Sequence, residues 1–217
     1  NGIVYPDGIA MDGVGLKWVS PKGRYAFIIG RTDLSNRFDT NRVANDGFHQ
    51  FIAFSLQNNL SIPWPIYGGP GAFIRRNWSE NLYTSFAVST SDASEPFAAW
   101  EMVGNPNWYQ MLEIGLTVDV PNLGKGHYRL TPWHNHFDGS DGFGVGINFD
   151  QELGRDDIVA FFRFGIGDPK VTPVKTFVSA GFAWISPFQR KHDMAGIGFS
   201  WSDPAREEGL GFRNETL

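Results

Sequence analysis

Along most of this chain, apolar residues alternate one by one with small or polar residues over stretches of about ten positions. That is the period of a β-strand, not of a helix. In 108–119, Trp108, Gln110, Leu112, Ile114, Leu116 and Val118 share one face, and Tyr109, Met111, Glu113, Gly115, Thr117 and Asp119 share the other. In 143–152, Phe143, Val145, Ile147 and Phe149 oppose Gly144, Gly146, Asn148 and Asp150. The same pattern predicts strands over 158–167 and 194–202, and weaker alternation predicts them over 10–20, 24–33, 71–78, 81–91, 125–134 and 175–186. Ten residues is the length a tilted strand needs to cross a bilayer. One segment departs from this period. In 46–58, Phe48, Phe51, Ile52 and Leu56 fall at helical offsets behind Asp46, which predicts a short amphipathic helix with Asp46 as its N-cap.

The links between strands carry a second signal. Short turns are expected at 20–23, 79–80, 121–124 and 154–156, with 187–192 nearly as short. Longer links are expected at 34–70, 92–107, 135–142, 168–174 and 203–213. With 46–58 counted as helix, short and long links alternate strictly. Outer-membrane barrels have this asymmetry, with tight turns at one rim and longer loops at the other; a Greek-key sandwich has no reason to keep it. The two faces agree: one carries Phe, Ile, Val, Leu and Trp, the other Gly, Ser, Thr, Asn and an occasional charge, which suits a water-filled lumen. Trp18, Trp78, Trp108, Trp133, Trp184 and Trp201 fall near strand ends, where an aromatic girdle lies in a membrane barrel and core anchors lie in a sandwich.

Composition narrows the choice. The chain has 217 residues with 26 glycines, 19 phenylalanines, 8 tryptophans and no cysteine, which excludes disulfides, thiolate metal sites and thiol catalysis. A net charge of −5 argues against a nucleic-acid binder. No run reaches the ~18 apolar residues of a membrane helix. The start shows no charged and apolar leader pattern. Ten complete strands and an eleventh beginning near 214–217 are expected. Since single-chain bacterial barrels have even strand numbers, the chain is expected to be an internal piece of a longer barrel, one partial barrel domain over 1–217.

Several stretches in consistent order resemble a known family. They are Gly30-Arg31-Thr32-Asp33 leading to Arg37-Phe38-Asp39-Thr40-Asn41, Ala44-Asn45-Asp46 and Gln50-Phe51; Pro70-Gly71-Ala72-Phe73-Ile74-Arg75 with Ser79-Glu80-Asn81-Leu82-Tyr83 and Ser91-Asp92-Ala93; Gly142-Phe143-Gly144, Val178-Ser179-Ala180-Gly181-Phe182 and Pro187-Phe188-Gln189-Arg190-Lys191-His192-Asp193; and Gly196-Ile197-Gly198-Phe199-Ser200-Trp201, ending at Asn214-Glu215-Thr216. Together they resemble the carbohydrate-selective porins (OprB-type) of Gram-negative outer membranes. The resemblance implies an antiparallel transmembrane β-barrel, of which about 11 strands of a usual sixteen are present. It also implies passive diffusion of sugars and other small hydrophilic solutes, an outer-membrane location in contact with lipid, and a long loop folded into the pore. Only 34–70 is long enough to be that loop. Its stretch Ile62-Pro63-Trp64-Pro65-Ile66-Tyr67 departs from the family pattern. A homotrimer follows only by analogy with porins.

A sugar-passing pore needs side chains that hydrogen-bond hydroxyls, with binding weak enough for release. By alternation, Arg75, Glu113, Asp119, Arg129, Asp150 and Arg163 face inward, as solute contacts or as ion pairs of the lumen wall. In the inserted loop, Arg37, Asp39, Arg42, His49 and Gln50 are the stronger candidates. Phe48 and Trp64 are stacking candidates there, with packing of the loop as their ordinary role. His134 and His136 near Asp138 and Asp141 lack metal-site spacing, and 138–142 lacks the remaining ligands of a calcium loop, so neither a metal nor a cofactor is expected. No Gly-x-Ser-x-Gly elbow occurs. Glu113 and Asp119 lie roughly 20 Å apart along a strand, too far for a glycosidase pair, so the chain reads as no enzyme. Two alternatives stay open: a general non-selective porin, and a soluble secreted glycan-binding β-sandwich.

Overall fold

The structure is a computed structural model describing residues 14–65, 69–91 and 107–205; the eleventh strand expected near 214–217 lies outside them. Ten strands follow in chain order: β1 (Val14–Val19), β2 (Tyr25–Thr32), β3 (Gly69–Asn77), β4 (Leu82–Thr90), β5 (Trp108–Val120), β6 (Gly124–Phe137), β7 (Ser140–Glu152), β8 (Ile158–Gly167), β9 (Val174–Ile185) and β10 (Met194–Pro204). Each pairs antiparallel with the next in a single sheet, so the chain is an all-β up-and-down meander. Every strand read from the alternation is present, the first described from Val14 on. Among the described residues no helix is long and apolar enough to cross a membrane.

The register puts Tyr109, Met111, Glu113 and Gly115 of β5 beside Asn135, Trp133, Thr131 and Arg129 of β6 on one face, and Leu112, Ile114 and Leu116 on the other. The apolar face is the exposed one. Leu16, Ile29, Ile74, Phe86, Leu112, Ile114, Leu130, Ile147, Ile166, Phe182, Ile197 and Phe199 all lie open. A soluble sheet buries that face; a barrel in lipid presents it. Aromatic neighbours tile it, as where Phe149 stacks on Phe162 with centroids 5.3 Å apart.

The opposite face is covered by the segment between β2 and β3. Phe38 meets Phe73 of β3 edge-on at 5.6 Å, while Ser55 Oγ lies 2.8 Å from Ser200 Oγ of β10. β3 and β10 are seven strand spacings apart, roughly 34 Å across a flat sheet, so the sheet curves around this segment. Two apolar clusters form inside the curve, one of Leu34, Phe38 and Ile62 with Phe73, Tyr109, Met111 and Trp133, the other of Val43, Ala44 and Leu56 with Val159, Phe161 and Ala183. Ile62 and Trp64, the stretch that departs from the family pattern, pack in the first cluster.

Three expectations are corrected. The helix over 46–58 shrinks to α1 (Phe54–Gln57). Asp46 is not its N-cap, since Ala53 stands there without a side-chain cap bond; Asp46 Oδ1 instead accepts the Phe48 N–H at 2.8 Å within a separate turn. Gln57 Nε2 donates to the carbonyls of Phe51 and Ile52 at 2.7 and 2.9 Å, so its side chain competes for acceptors that a continuous helix would use. Phe48 is accordingly 95% exposed and packs no core. Second, the strict alternation of short and long links fails at 135–142. β6 and β7 continue to a two-residue turn at Asp138 and Gly139, whose φ values of 49° and 72° are those of a type I′ hairpin. Third, Trp133 is 3% exposed and lies inside against Tyr109, so it is a core anchor and no girdle residue. Trp18, Trp78 and Trp201 are exposed on the outer face near strand ends, as the girdle requires. Trp184, also outward, donates its Nε1 to Asp157 in the turn before β8 at 3.1 Å.

A charge placed on the outer wall is the direct check of this inverted arrangement. In a bilayer Ile114→Arg is expected to cost about 2–4 kcal/mol, read as a shift in the urea midpoint of folding into lipid vesicles. The inward neighbour change Thr117→Lys is expected to cost less than half of that.

Candidate functional site

The site is built where the inner faces of β3 to β8 meet the loop at Phe38–Asn41. Its centre is Asp39, whose φ of 53° turns the chain so that both its backbone and its carboxylate face the wall. Arg163 of β8 grips it twice: Nε donates to Asp39 Oδ2 at 2.9 Å and Nη2 to the Asp39 carbonyl at 3.0 Å, while Nη1 donates to the Leu56 carbonyl at 2.8 Å. Asn148 of β7 donates to Asp39 Oδ1 at 2.8 Å and to its carbonyl at 2.6 Å. Glu113 of β5 accepts the Asp39 N–H at 2.7 Å, the Tyr83 hydroxyl at 2.7 Å and the Thr131 hydroxyl at 3.1 Å. Asn59 further along the loop donates its N–H to Asp39 Oδ2 at 3.1 Å. Arg163, Asp39 and Glu113 are fully enclosed. A buried pair holds only where every remaining donor and acceptor is also satisfied, and here carbonyls and amides supply those partners.

The wall makes room for the loop with glycine. A Cβ at Gly146 would come 3.1 Å from both Asn59 Nδ2 and Ile62 Cδ1, and one at Gly198 would come 2.8 Å from Leu56. At Gly165 it would strike Ser61 Oγ and the Asn59 amide. The glycine-rich face was expected to line water; on β7, β8 and β10 these glycines are seats for the loop.

The other candidates divide by place. On the β7–β8 side, Arg42 pairs with Glu152 at 2.5 Å and donates to the Asp156 carbonyl at 3.0 Å. Gln50 ties the loop to itself, accepting the N–H groups of Asn45 and Asp46 at 2.7 and 3.0 Å and donating to the Arg42 carbonyl at 2.8 Å. His49, exposed, meets Asp46 Oδ2 at 2.7 Å. The Phe48 N–H, then the His49 ring, hold the Asp46 carboxyl below its usual range. Arg37 lies over the Phe73 ring, 5.6 Å from its centroid. Asp119 is exposed on β5 near the turn rim.

Arg75 and Arg129 come together with the turn rim around a cavity of about 770 Å³. It is bounded by the turns at 20–24 and 78–81, the ends of β3 to β6, and Thr40 of the loop. The Arg75 guanidinium lies 3.6 Å over the Tyr83 ring, and its Nε donates to Asn77 Oδ1 at 3.2 Å. Arg129 Nη1 donates to Asp150 Oδ2 at 3.1 Å, and the His127 ring meets the other oxygen of Asp150 at 2.6 Å. At the opposite rim, His134 and His136 both reach Asp141 Oδ1, at 3.0 and 2.9 Å. No group of three or more such side chains among the described residues forms a metal-holding set.

Sequence reasoning missed Asn148, Asn59, Tyr83 and His127. The alternation already put Asn148 inward, and the β5–β6 register puts His127 opposite Thr117 on the inner face. Asn59 and Tyr83 carried no signal, since their partners in the site are 20 or more residues away in sequence.

Two changes test the latch. Arg163→Ala leaves Asp39 buried without its partner and is expected to lower stability by about 3–5 kcal/mol, read from the thermal unfolding midpoint in detergent. Gly165→Ala is expected to cost about 1–3 kcal/mol by overpacking and to make the loop at 56–62 susceptible to limited proteolysis, with the sheet left resistant.

Residues 138–213 match the family described as carbohydrate-selective porin, OprB family. An uncharacterized protein of Aquifex aeolicus (strain VF5) is 29% identical over 167 residues, 77% of this chain and 45% of that protein. The high-pH structure of Pseudomonas putida OprB superposes with a TM-score of 0.65 at 14% identity, covering 87% of this chain and 53% of that one. The chain therefore spans about half the length of the proteins it matches. In sequence over its C-terminal third and in fold over most of its length, this chain resembles the OprB-type carbohydrate-selective porins.

Proposed function

We propose that the chain forms part of an outer-membrane channel through which small carbohydrates diffuse passively, with the segment 34–70 folded inward as its constriction. The observation that carries this reading is the inverted wall: apolar side chains stand open outside, while charged and amide groups are enclosed inside around a loop. Bilayer lipid satisfies the first condition and a hydrophilic solute path the second. The family match and the fold point to a transport channel. No general acid–base pair or nucleophile is required of it.

The latch gives the constriction a physical basis. A loop that must not swing in the flow has to be anchored at several strands, and Asp39 is bonded to β5, β7 and β8 at once. What remains for solute is the space beside the anchor, where Arg75, Arg129 and the Thr40 edge of the loop stand.

Proteoliposomes test the reading. Swelling in isotonic glucose or a disaccharide is expected to run well above that of protein-free vesicles, and recovery of the protein from cells is expected to require detergent. Arg75→Ala and Arg37→Ala are expected to change conductance or sugar preference with the barrel still folded. Sugars that fail to compete for single-channel current would favour a general porin, and recovery in buffer alone would overturn the channel.

A further inference from the structure

The chain as a whole is acidic, with 23 Asp and Glu against 18 Lys and Arg, yet the cavity at the turn rim has the opposite sign. Lys22, Arg24, Arg75 and Arg129 line it, and Glu80 is the one carboxylate among its lining residues. Asp150, just behind, divides its two oxygens between Arg129 and His127. No carboxylate lies within ion-pair distance of Lys22, Arg24 or Arg75 among the described residues.

Arg75 is the best-prepared of these groups. Its Nε is held by Asn77, its plane is held 3.6 Å over Tyr83, and Tyr83 is fixed by its hydroxyl bond to Glu113. Its two terminal nitrogens remain uncommitted among the described residues, and Arg75 lines a cavity large enough for a small solute. A guanidinium fork presented in this way matches a carboxylate, which it can bind through two parallel N–H···O bonds. Arg75 itself covers a face of Tyr83, the ring beside it. A neutral pyranose thus has to compete with Arg75 for that ring, and an anion finds an unneutralised field.

We infer that this cavity is a subsite for acidic monosaccharides, hexuronates or aldonates, whose carboxylate is taken by the terminal nitrogens of Arg75 with Arg129 behind it. The inference rests on the channel reading and names a class of solute for it. Binding stays weak because Lys22 and Arg24 are exposed to water and salt, as passage requires.

Equilibrium exchange of labelled glucose and labelled glucuronate across proteoliposomes, with equal solute on both sides and 0.15 M salt, tests it. Glucuronate exchange is expected to half-saturate about tenfold below glucose, as a charged hydrogen bond of ordinary strength provides. Arg75→Gln is expected to remove that difference, and Arg75→Lys, which keeps the charge without the fork, to leave an intermediate value. Heat-modifiable mobility in gels confirms that each variant is folded. Equal half-saturation for the two solutes in the unmodified protein overturns the subsite and leaves the channel standing. So does an acetate exchange that saturates as tightly as glucuronate, which would mean general anion preference. Exchange of neither solute overturns the channel together with the subsite.

Discussion

The fold's interior depends on one enclosed ion pair. Arg163 and Asp39 come from segments 124 residues apart, and together they fix the loop to the wall. An ion pair in such a place gains stability only if nothing around it is left unpaired. The structure meets this with Asn148, Asn59, the Leu56 carbonyl and the Asp39 backbone, so that one carboxylate organises bonds from two strands and from the loop itself. Glu113 does the same for the other side of the turn by accepting the Asp39 N–H. The polar groups are therefore interlocked, and the loop has one seat.

That seat explains the glycines. A channel wall needs no glycine to hold water, since Ser, Thr or Asn would serve. It needs glycine where the side chains of another segment press against it, and Gly146, Gly165 and Gly198 stand under Asn59, Ser61 and Leu56. The apolar residues of the loop, Leu34, Phe38, Val43, Leu56 and Ile62, then give the curved sheet a partial core that an empty barrel would lack. The outward face meanwhile keeps its Leu, Ile and Phe open. The two surfaces have opposite chemistry, an open apolar face of the kind that suits lipid and a filled, hydrogen-bonded interior.

Charge is distributed as unevenly as polarity. On the β7–β8 side the candidates neutralise one another, Arg42 with Glu152 and Arg163 with Asp39. At the turn rim the cations outnumber their partners. A lumen that only needed hydration would have no reason to separate the two, and the separation would give the proposed solute path a direction of field.

Much of this was legible in the chain. Period-two alternation is imposed by the strand itself, since successive side chains leave opposite faces of the backbone; from it follow the ten strands, their faces, and the inward placement of Arg75, Glu113, Arg129, Asp150 and Arg163. The ordered motifs added the porin resemblance. Tertiary structure alone decided what the inward residues do. Arg163 and Arg75 have the same alternation signal, yet one is enclosed against Asp39 and the other has its fork open to a cavity, because a loop passes over the first and not the second. The truncated helix at Phe54–Gln57 and the inward Trp133 have the same origin. Local propensity describes a residue's own backbone, whereas Gln57 finding the carbonyls of Phe51 and Ile52, or Trp133 finding Tyr109, depends on partners that only the folded chain brings within reach.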